Sequence, residues 1–264
     1  MKANVNYNFK VIHAINFELF EKKSGSASTY GIQFEQLESK NFKIEVRRND
    51  FKVNDKKIEL KFERIAYEYN KAIFPVLFDV KDGAFLLSNY TEIAERIAAK
   101  DEELKMKHEG PGFQYIRNQF LENAAKDGYA MSRYFFSFGL MKVIMLCLQE
   151  TDNYDEYDFH WDIIPLETTL FWKGKTKFDP ALKTLKYEGK EASTEELFEK
   201  IKEYGTANKY PQKLNSEDSL ITTKATNETQ FVNTKLDFEF SKTEIKINNP
   251  YFDYQETLSI SRKY

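Results

Sequence analysis

The sequence is poor in the residues that most often carry chemistry or cross-links. It has a single cysteine, Cys147, in 264 residues, so no intramolecular disulfide can form. That cysteine lies in the run Val143-Ile144-Met145-Leu146-Cys147-Leu148, where a thiol acts as a small buried hydrophobe. Histidine occurs three times, as His13, His108 and His160. The net charge is only −3, from 39 basic and 42 acidic residues, so no overall positive field draws the chain onto nucleic acid or anionic lipid. Nucleic acid is therefore not expected as a partner. No apolar run reaches the roughly 20 residues of a membrane span. Residues 1–8 alternate polar and apolar and lack the continuous apolar stretch of a signal peptide. A cytoplasmic location is the expectation. Lysine far outnumbers arginine, and asparagine, phenylalanine and tyrosine are plentiful, a usage associated with AT-rich bacterial genomes.

What is present is ample material for a core, with 41% hydrophobic residues. Residues 5–19 carry apolar side chains at every second position (Val5, Tyr7, Phe9, Val11, Ile15, Phe17, Leu19), the period of a half-buried strand. At this length the strand is expected to bend or break, with His13 on the same inward face. Ser24 to Thr29 reads as a hairpin loop, and alternation resumes at Ile32/Phe34, at Phe42/Ile44/Val46 before an Asn49-Asp50 turn, at Ile58/Leu60/Phe62 and over 74–80. These segments make an antiparallel meander of five or six strands.

The period then changes. Asn89 with Glu92 reads as a helix cap, followed by Ile93, Ile97 and Leu104 at helical spacing to about residue 107. Phe113, Ile116, Phe120 and Ala124 mark a second helix closed by Gly128, and a third spans about 130–149, apolar nearly all round from 134 to 148. Strands are expected again at 159–164 and 166–172, with Gly174 as a turn into 175–178. A helix capped by Ser193 and Glu196 carries Leu197, Ile201 and Tyr204, and alternation returns at 220–225, 232–240, Ile245/Ile247 and Leu258/Ile260. No internal repeat is visible. The class is α+β: largely antiparallel sheet from the N- and C-terminal thirds around a central helical segment. The chain reads as one unit over 1–264, divisible into 1–88, 89–150 and 151–264.

Four features invite chemistry. The run from Asp152 to Asp162 holds five carboxylates and His160, and on a strand Asp158, His160 and Asp162 would share a face. His160-Trp161-Asp162 has the His-x-carboxylate spacing that begins an iron facial triad. No histidine follows position 160 to complete it, and no glycine supplies the turn of a calcium loop. A solvated acidic loop entering a strand is the plainer reading. His108-Glu109-Gly110-Pro111-Gly112 before a helix could approach a phosphate, but it matches neither nucleotide-binding fingerprint and lacks the second histidine of a zinc-protease motif. Lys142 sits in an apolar helix, where desolvation favours Schiff-base chemistry and snorkelling opposes it. Tyrosines fall in polar surroundings at Tyr67/Tyr69, Tyr154/Tyr157 and Tyr251/Tyr254, suiting a surface that is soluble when unpaired.

These readings assign no catalytic, cofactor-binding or metal-binding residue. They point first to a non-enzymatic module that binds another protein, such as an assembly component or a toxin-neutralising protein of a bacterium. The alternative is a carrier or sensor of an apolar small molecule, enclosed by a curved sheet and the 134–148 helix.

Overall fold

A computed structural model describes residues 5–36, 42–81, 84–122, 126–148, 156–192, 194–210, 220–232 and 237–264. It contains eleven strands: β1 (Val5–Leu19), β2 (Lys22–Gln36), β3 (Phe42–Val53), β4 (Val76–Lys81), β5 (Ala84–Leu87), β6 (Glu156–Ile163), β7 (Thr168–Asp179), β8 (Thr184–Ala192), β9 (Thr222–Phe231), β10 (Phe238–Asn249) and β11 (Phe252–Arg262). Six α-helices join them: α1 (Lys61–Ile73), α2 (Tyr90–Lys107), α3 (Pro111–Phe120), α4 (Gly128–Ser137), α5 (Gly139–Leu148) and α6 (Glu195–Ala207). The strands hydrogen-bond in the order β5-β4-β3-β2-β1-β11-β10-β9-β8-β7-β6 in one sheet, so the α+β class with an antiparallel sheet holds. Strands consecutive in sequence pair with one another except β5 and β6, which stand at the two ends of the order, and β1 also pairs with β11. The chain forms two compact units. Unit 1 comprises 1–11, 28–141 and 262–264, and unit 2 comprises 12–27 and 142–261.

In unit 1 the pleat puts Tyr7, Phe9, Ile32, Phe34, Ile44, Val46, Val76 and Phe78 into the core. Helical stripes meet them: Ile65, Tyr69 and Ile73 on α1, Ile93, Ile97 and Leu104 on α2, Phe113 and Phe120 on α3, Met131 and Phe135 on α4. Edge-to-face contacts such as Phe78–Phe135, with centroids 5.9 Å apart, lock helix to strand.

Unit 2 packs α5 and α6 on its strands. From Lys142 to Cys147, every residue of α5 except Met145 is buried. The strand face beneath is apolar at its margins (Trp161, Trp172, Leu185, Ile245, Leu258) and polar in the middle. There Asn227 Nδ2 donates to Ser241 Oγ at 3.0 Å and to Thr243 Oγ1 at 2.9 Å, while Thr229 Oγ1 lies 3.4 Å from Cys147 Sγ. Buried hydroxyls and amides are tolerated because they satisfy one another.

Several local expectations are corrected. β1 is a single strand of 15 residues, so the break is not there. Ser24 to Thr29 is strand, the turn being Phe20-Glu21 with Phe20 at φ 54°. Small side chains here admit neighbours, and a Cβ at Gly25 would lie 2.5 Å from Asn16 Oδ1. Asn49-Asp50 is a bulge inside β3, and the turn falls at Asn54-Asp55, both at positive φ (49° and 59°), the conformation that suits a two-residue hairpin. Ile58/Leu60/Phe62 leads into α1 rather than forming a strand. Asn89 does stand at the N-cap position of α2, but its side-chain amide bonds Leu77 N and Pro75 O instead of the helix. Gly128 starts α4, capped by Asp127, and Phe138 separates α4 from α5, so the expected third helix is two. Ala124, Ser193 and the Asp152–Asp155 half of the acidic run lie outside the described residues. Gly174 is a bulge within β7, and β8 went unread. No single helix among the described residues is long and apolar enough to cross a membrane.

Candidate ligand-binding site

The residues singled out from the sequence are placed first. On β6, Asp158 and His160 are exposed and Asp162 is half-buried on the same face, as the alternation requires. His160 stacks on Phe171, 5.9 Å between centroids. Partial burial and then the Lys142 charge hold its imidazole below the usual range. Asp162 is fully engaged: Oδ1 accepts from Thr169 Oγ1 at 2.7 Å and Oδ2 from Lys142 Nζ at 3.0 Å. Among the described residues no group of three or more His, Cys, Asp or Glu is placed to hold a metal ion.

Cys147 is buried, and burial pushes its thiol up to about 11, far from a reactive thiolate. His108 faces Phe113 and helps line a recess of about 340 Å³ with Lys61, Arg64, Glu68, Glu103 and Lys107. At the Gly110-Pro111-Gly112 loop the Phe62 ring packs against Gly112, where a Cβ would lie 2.7 Å from it. His13 Nε2 contacts Glu256 Oε1, and Tyr254 OH donates to Glu256 Oε2. Glu256 is 2% exposed on the inward face of β11 and was not read from the sequence. Of the tyrosines singled out, Tyr69 and Tyr254 are interior, Tyr67, Tyr157 and Tyr251 are half-buried, and Tyr154 lies outside the described residues.

Lys142 does not snorkel free. Its side chain is 4% exposed, held by Asp162 and lying 5.7 Å from the Trp161 ring centre. Burial lowers its pKa from 10.5 against the pull of Asp162 and Glu256, so between that lowered value and 10.5 stability rises with pH. Lys142→Met should leave the unfolding free energy unchanged or raise it by about 1–3 kcal/mol, since the ammonium is costly to bury. Asp162→Ala should lower it, by stranding that charge. Urea unfolding of both variants checks this, and a larger loss for Lys142→Met would contradict it.

A different cluster, in unit 1, gathers an arginine and five aromatic rings. Along β3 the alternation Ile44, Val46, Arg48 puts an arginine on the core face, opposite Ile32 of β2. The pairing then slips: Thr29 faces Lys52 and Gly31 faces Asn49, with Asp50 at φ 52°. This bulge inserts one residue into β3, so Arg48 and Phe51, three apart, reach the same face. Tyr30 joins them from β2, Tyr67 from α1, Phe74 from the residue that ends α1, and Tyr134 from α4. The guanidinium carbon lies 4.8 Å from the Phe74 ring centre, 5.1 Å from Phe51 and 6.0 Å from Tyr30. Tyr30, Phe51 and Tyr67 form a stacked row with spacings of 5.8 and 5.5 Å. Tyr134 OH donates to Asn70 Oδ1 at 3.1 Å.

All six residues are half-buried. Among the described residues, no hydrogen bond or ion pair engages the Arg48 guanidinium. Burial lowers its pKa, but an arginine remains charged. Burial also pushes Tyr30 up to about 12 and raises Tyr134. The phenols are therefore neutral near pH 7, and no tyrosinate balances the arginine.

Comparison with known proteins adds little. No protein-family model and no curated protein matches the chain. Among solved structures it is similar to one described as "Lipid-protein interactions in lipovitellin", with a TM-score of 0.45, 7% identity and coverage of 98% of this chain. It spans 25% of that chain's length. At this level the likeness decides nothing about function.

Proposed function

We propose that the chain is a non-catalytic binding protein that holds a small apolar molecule among the aromatic rings of unit 1. The observation that carries this reading is the ring set itself: Tyr30, Phe51, Tyr67, Phe74 and Tyr134 converge from several elements and are half-buried rather than sealed. Rings that served the core alone would be sealed, as Phe34, Phe78 and Phe113 are. A few polar groups among apolar walls are the usual make-up of a small-molecule site. Tyr134 belongs to the apolar stretch expected to line such a site, whereas the α5 portion of that stretch, from Lys142 to Cys147, is packed.

Titration with the neutral fluorophore N-phenyl-1-naphthylamine tests the reading. Saturable binding of one probe per chain is expected, weakened about fivefold to tenfold by Phe51→Ala or Tyr67→Ala, as the loss of one stacked ring implies. Absence of saturable binding to the wild type would remove the reading.

A second reading, recognition of a protein partner, has its own support in Leu60, Phe62 and Tyr115 of unit 1, exposed by 66%, 54% and 69%. Phe62 packs on Gly112, and Tyr115 lies one helical turn further along α3. An assembly or toxin-neutralising role belongs to this reading. Co-purification from the native cell tests it: a partner lost on Phe62→Glu supports it, and a chain recovered alone counts against it.

A further inference from the structure

Resting on the small-molecule reading, we infer that the ligand of the unit 1 ring cluster is a monocarboxylate with an apolar body, and that Arg48 is the group that selects the acid. A guanidinium on the core face of a strand is an unusual element of a ring cluster. The inward neighbours before it on β3 are Ile44 and Val46, and the residue it pairs with is Ile32. Its surroundings are rings, with Phe74, Phe51 and Tyr30 within 6.0 Å of the guanidinium carbon. Ring faces attract the cation, but they take up none of its five N–H donors in conventional hydrogen bonds. Among the described residues no protein acceptor engages those donors, and Arg48 is half-buried rather than sealed.

The identity of the group that engages Arg48 follows from charge and shape. The planar fork of an arginine matches the two oxygens of a carboxylate, forming two parallel charge-assisted bonds. Among the described residues, the charge interactions that shift Arg48 come from tyrosines and from no carboxylate, and burial keeps Tyr30 and Tyr134 protonated. One positive charge therefore awaits one negative charge. A phosphate, bearing nearly two charges and three acceptor oxygens, would call for further cations. The rest of the ligand meets the row Tyr30–Phe51–Tyr67 and the edge formed by Phe74 and Tyr134, surfaces that accept hydrocarbon or a flat ring. Tyr134 OH, already donating to Asn70, is not a free donor that would favour a neutral alcohol.

Isothermal titration of the full chain with two matched pairs, dodecanoate against dodecanol and 2-naphthoate against 2-naphthol, tests the assignment at neutral pH. At least tenfold tighter binding of the acid in one or both pairs is expected, the better acid showing whether a chain or a ring system fills the site. Arg48→Gln should abolish that preference by weakening the acid alone, and Arg48→Lys, which keeps the charge without the fork, should retain part of it. Circular dichroism verifies that each variant is folded. If Arg48→Gln does not fold, the wild-type acid-to-alcohol ratio still decides. Equal binding of acid and alcohol in both pairs overturns the assignment while leaving the small-molecule reading intact, and so does a preference that Arg48→Gln leaves unchanged. Failure of all four compounds to bind overturns both.

Discussion

Asp101→Ala is expected to lower the unfolding free energy by about 3–5 kcal/mol, because it strands an arginine at a junction of three helices. Asp101, on α2, is only 6% exposed. Its Oδ1 accepts from Tyr69 OH at 2.7 Å and Arg117 Nε at 2.8 Å, and its Oδ2 from an Arg117 terminal nitrogen at 2.9 Å and Lys105 Nζ at 3.0 Å. Tyr69 belongs to α1 and Arg117 to α3, so one carboxylate ties the helical layer of unit 1 together. Burial pushes the carboxyl upward, but the bonds from Arg117, Tyr69 and Lys105 outweigh it and bring the pKa from 3.8 to about 2. A depressed carboxylate stabilises the fold above its unfolded pKa and loses that contribution as pH falls through the folded value. The wild type should therefore lose roughly 2 kcal/mol of this origin between pH 4 and pH 2. Asp101→Asn should lack that portion of the slope. Urea unfolding of both proteins across this range isolates it in the difference curve, and parallel curves would contradict the assignment.

Trp172→Ala should cost about 3–5 kcal/mol in unit 2, by leaving a large cavity. The Trp172 side chain is fully buried, and its Nε1–H donates to Thr223 Oγ1 at 3.1 Å. To make that bond from β7, it crosses β8 at Gly189, where an added Cβ would sit 2.7 Å from Trp172 Cβ and 2.6 Å from Tyr187 OH. Tyr187 OH in turn donates to Trp172 O at 3.2 Å. The two large rings thus depend on a glycine between them. Gly189→Ala should be costly in the wild type and cheaper beside Tyr187→Phe, which removes the hydroxyl nearest the added methyl, a coupling within the 0.5–3 kcal/mol typical of contacting residues. A double-mutant cycle by guanidinium unfolding measures it, and simple additivity would contradict the interlock. The only two tryptophans, Trp161 and Trp172, both lie in unit 2, so fluorescence of the Gly189→Ala single variant reports that unit directly.

How much could be read from the sequence depended on whether phase survives in the residues. α2 was legible because Ile93, Ile97 and Leu104 stand against polar neighbours, and the Ile245/Ile247 part of β10 and the Leu258/Ile260 part of β11 because alternation holds there, whereas a bulge between Phe238 and Phe240 breaks the phase at the start of β10. α1 was not: Ile58/Leu60/Phe62 mimics a strand, and the helical stripe Ile65/Tyr69/Ile73 follows among charged residues. The stretch from 134 to 148 is apolar all round and so carries no phase to show that Phe138 breaks it. β8 has few apolar residues, with a glycine where a large inward side chain would be expected, its place taken by Trp172 and Tyr187.

The ring cluster was hidden for a related reason. Asn49-Asp50 has the composition of a turn, yet there it shifts the phase of β3 so that Arg48 and Phe51 share a face. One signal was available. Extending the Ile44/Val46 alternation by one step lands on Arg48, a charge where the pattern calls for a hydrophobe. The tyrosines could not be sorted from sequence, because a phenol suits equally the interior position of Tyr69 and the half-buried position of Tyr67.

The most direct measurement is nuclear magnetic resonance of the isotope-labelled chain during titration with dodecanoate and 2-naphthoate, following the Arg48 Nε–Hε signal and the ring signals of the cluster. The expected result is that Arg48, Tyr30, Phe51 and Tyr67 shift together and saturate, while the indole signals of Trp161 and Trp172 stay in place. Saturation at the tryptophans with an unmoved Arg48, or no saturable shift anywhere, would contradict a ligand site built on that arginine and its rings.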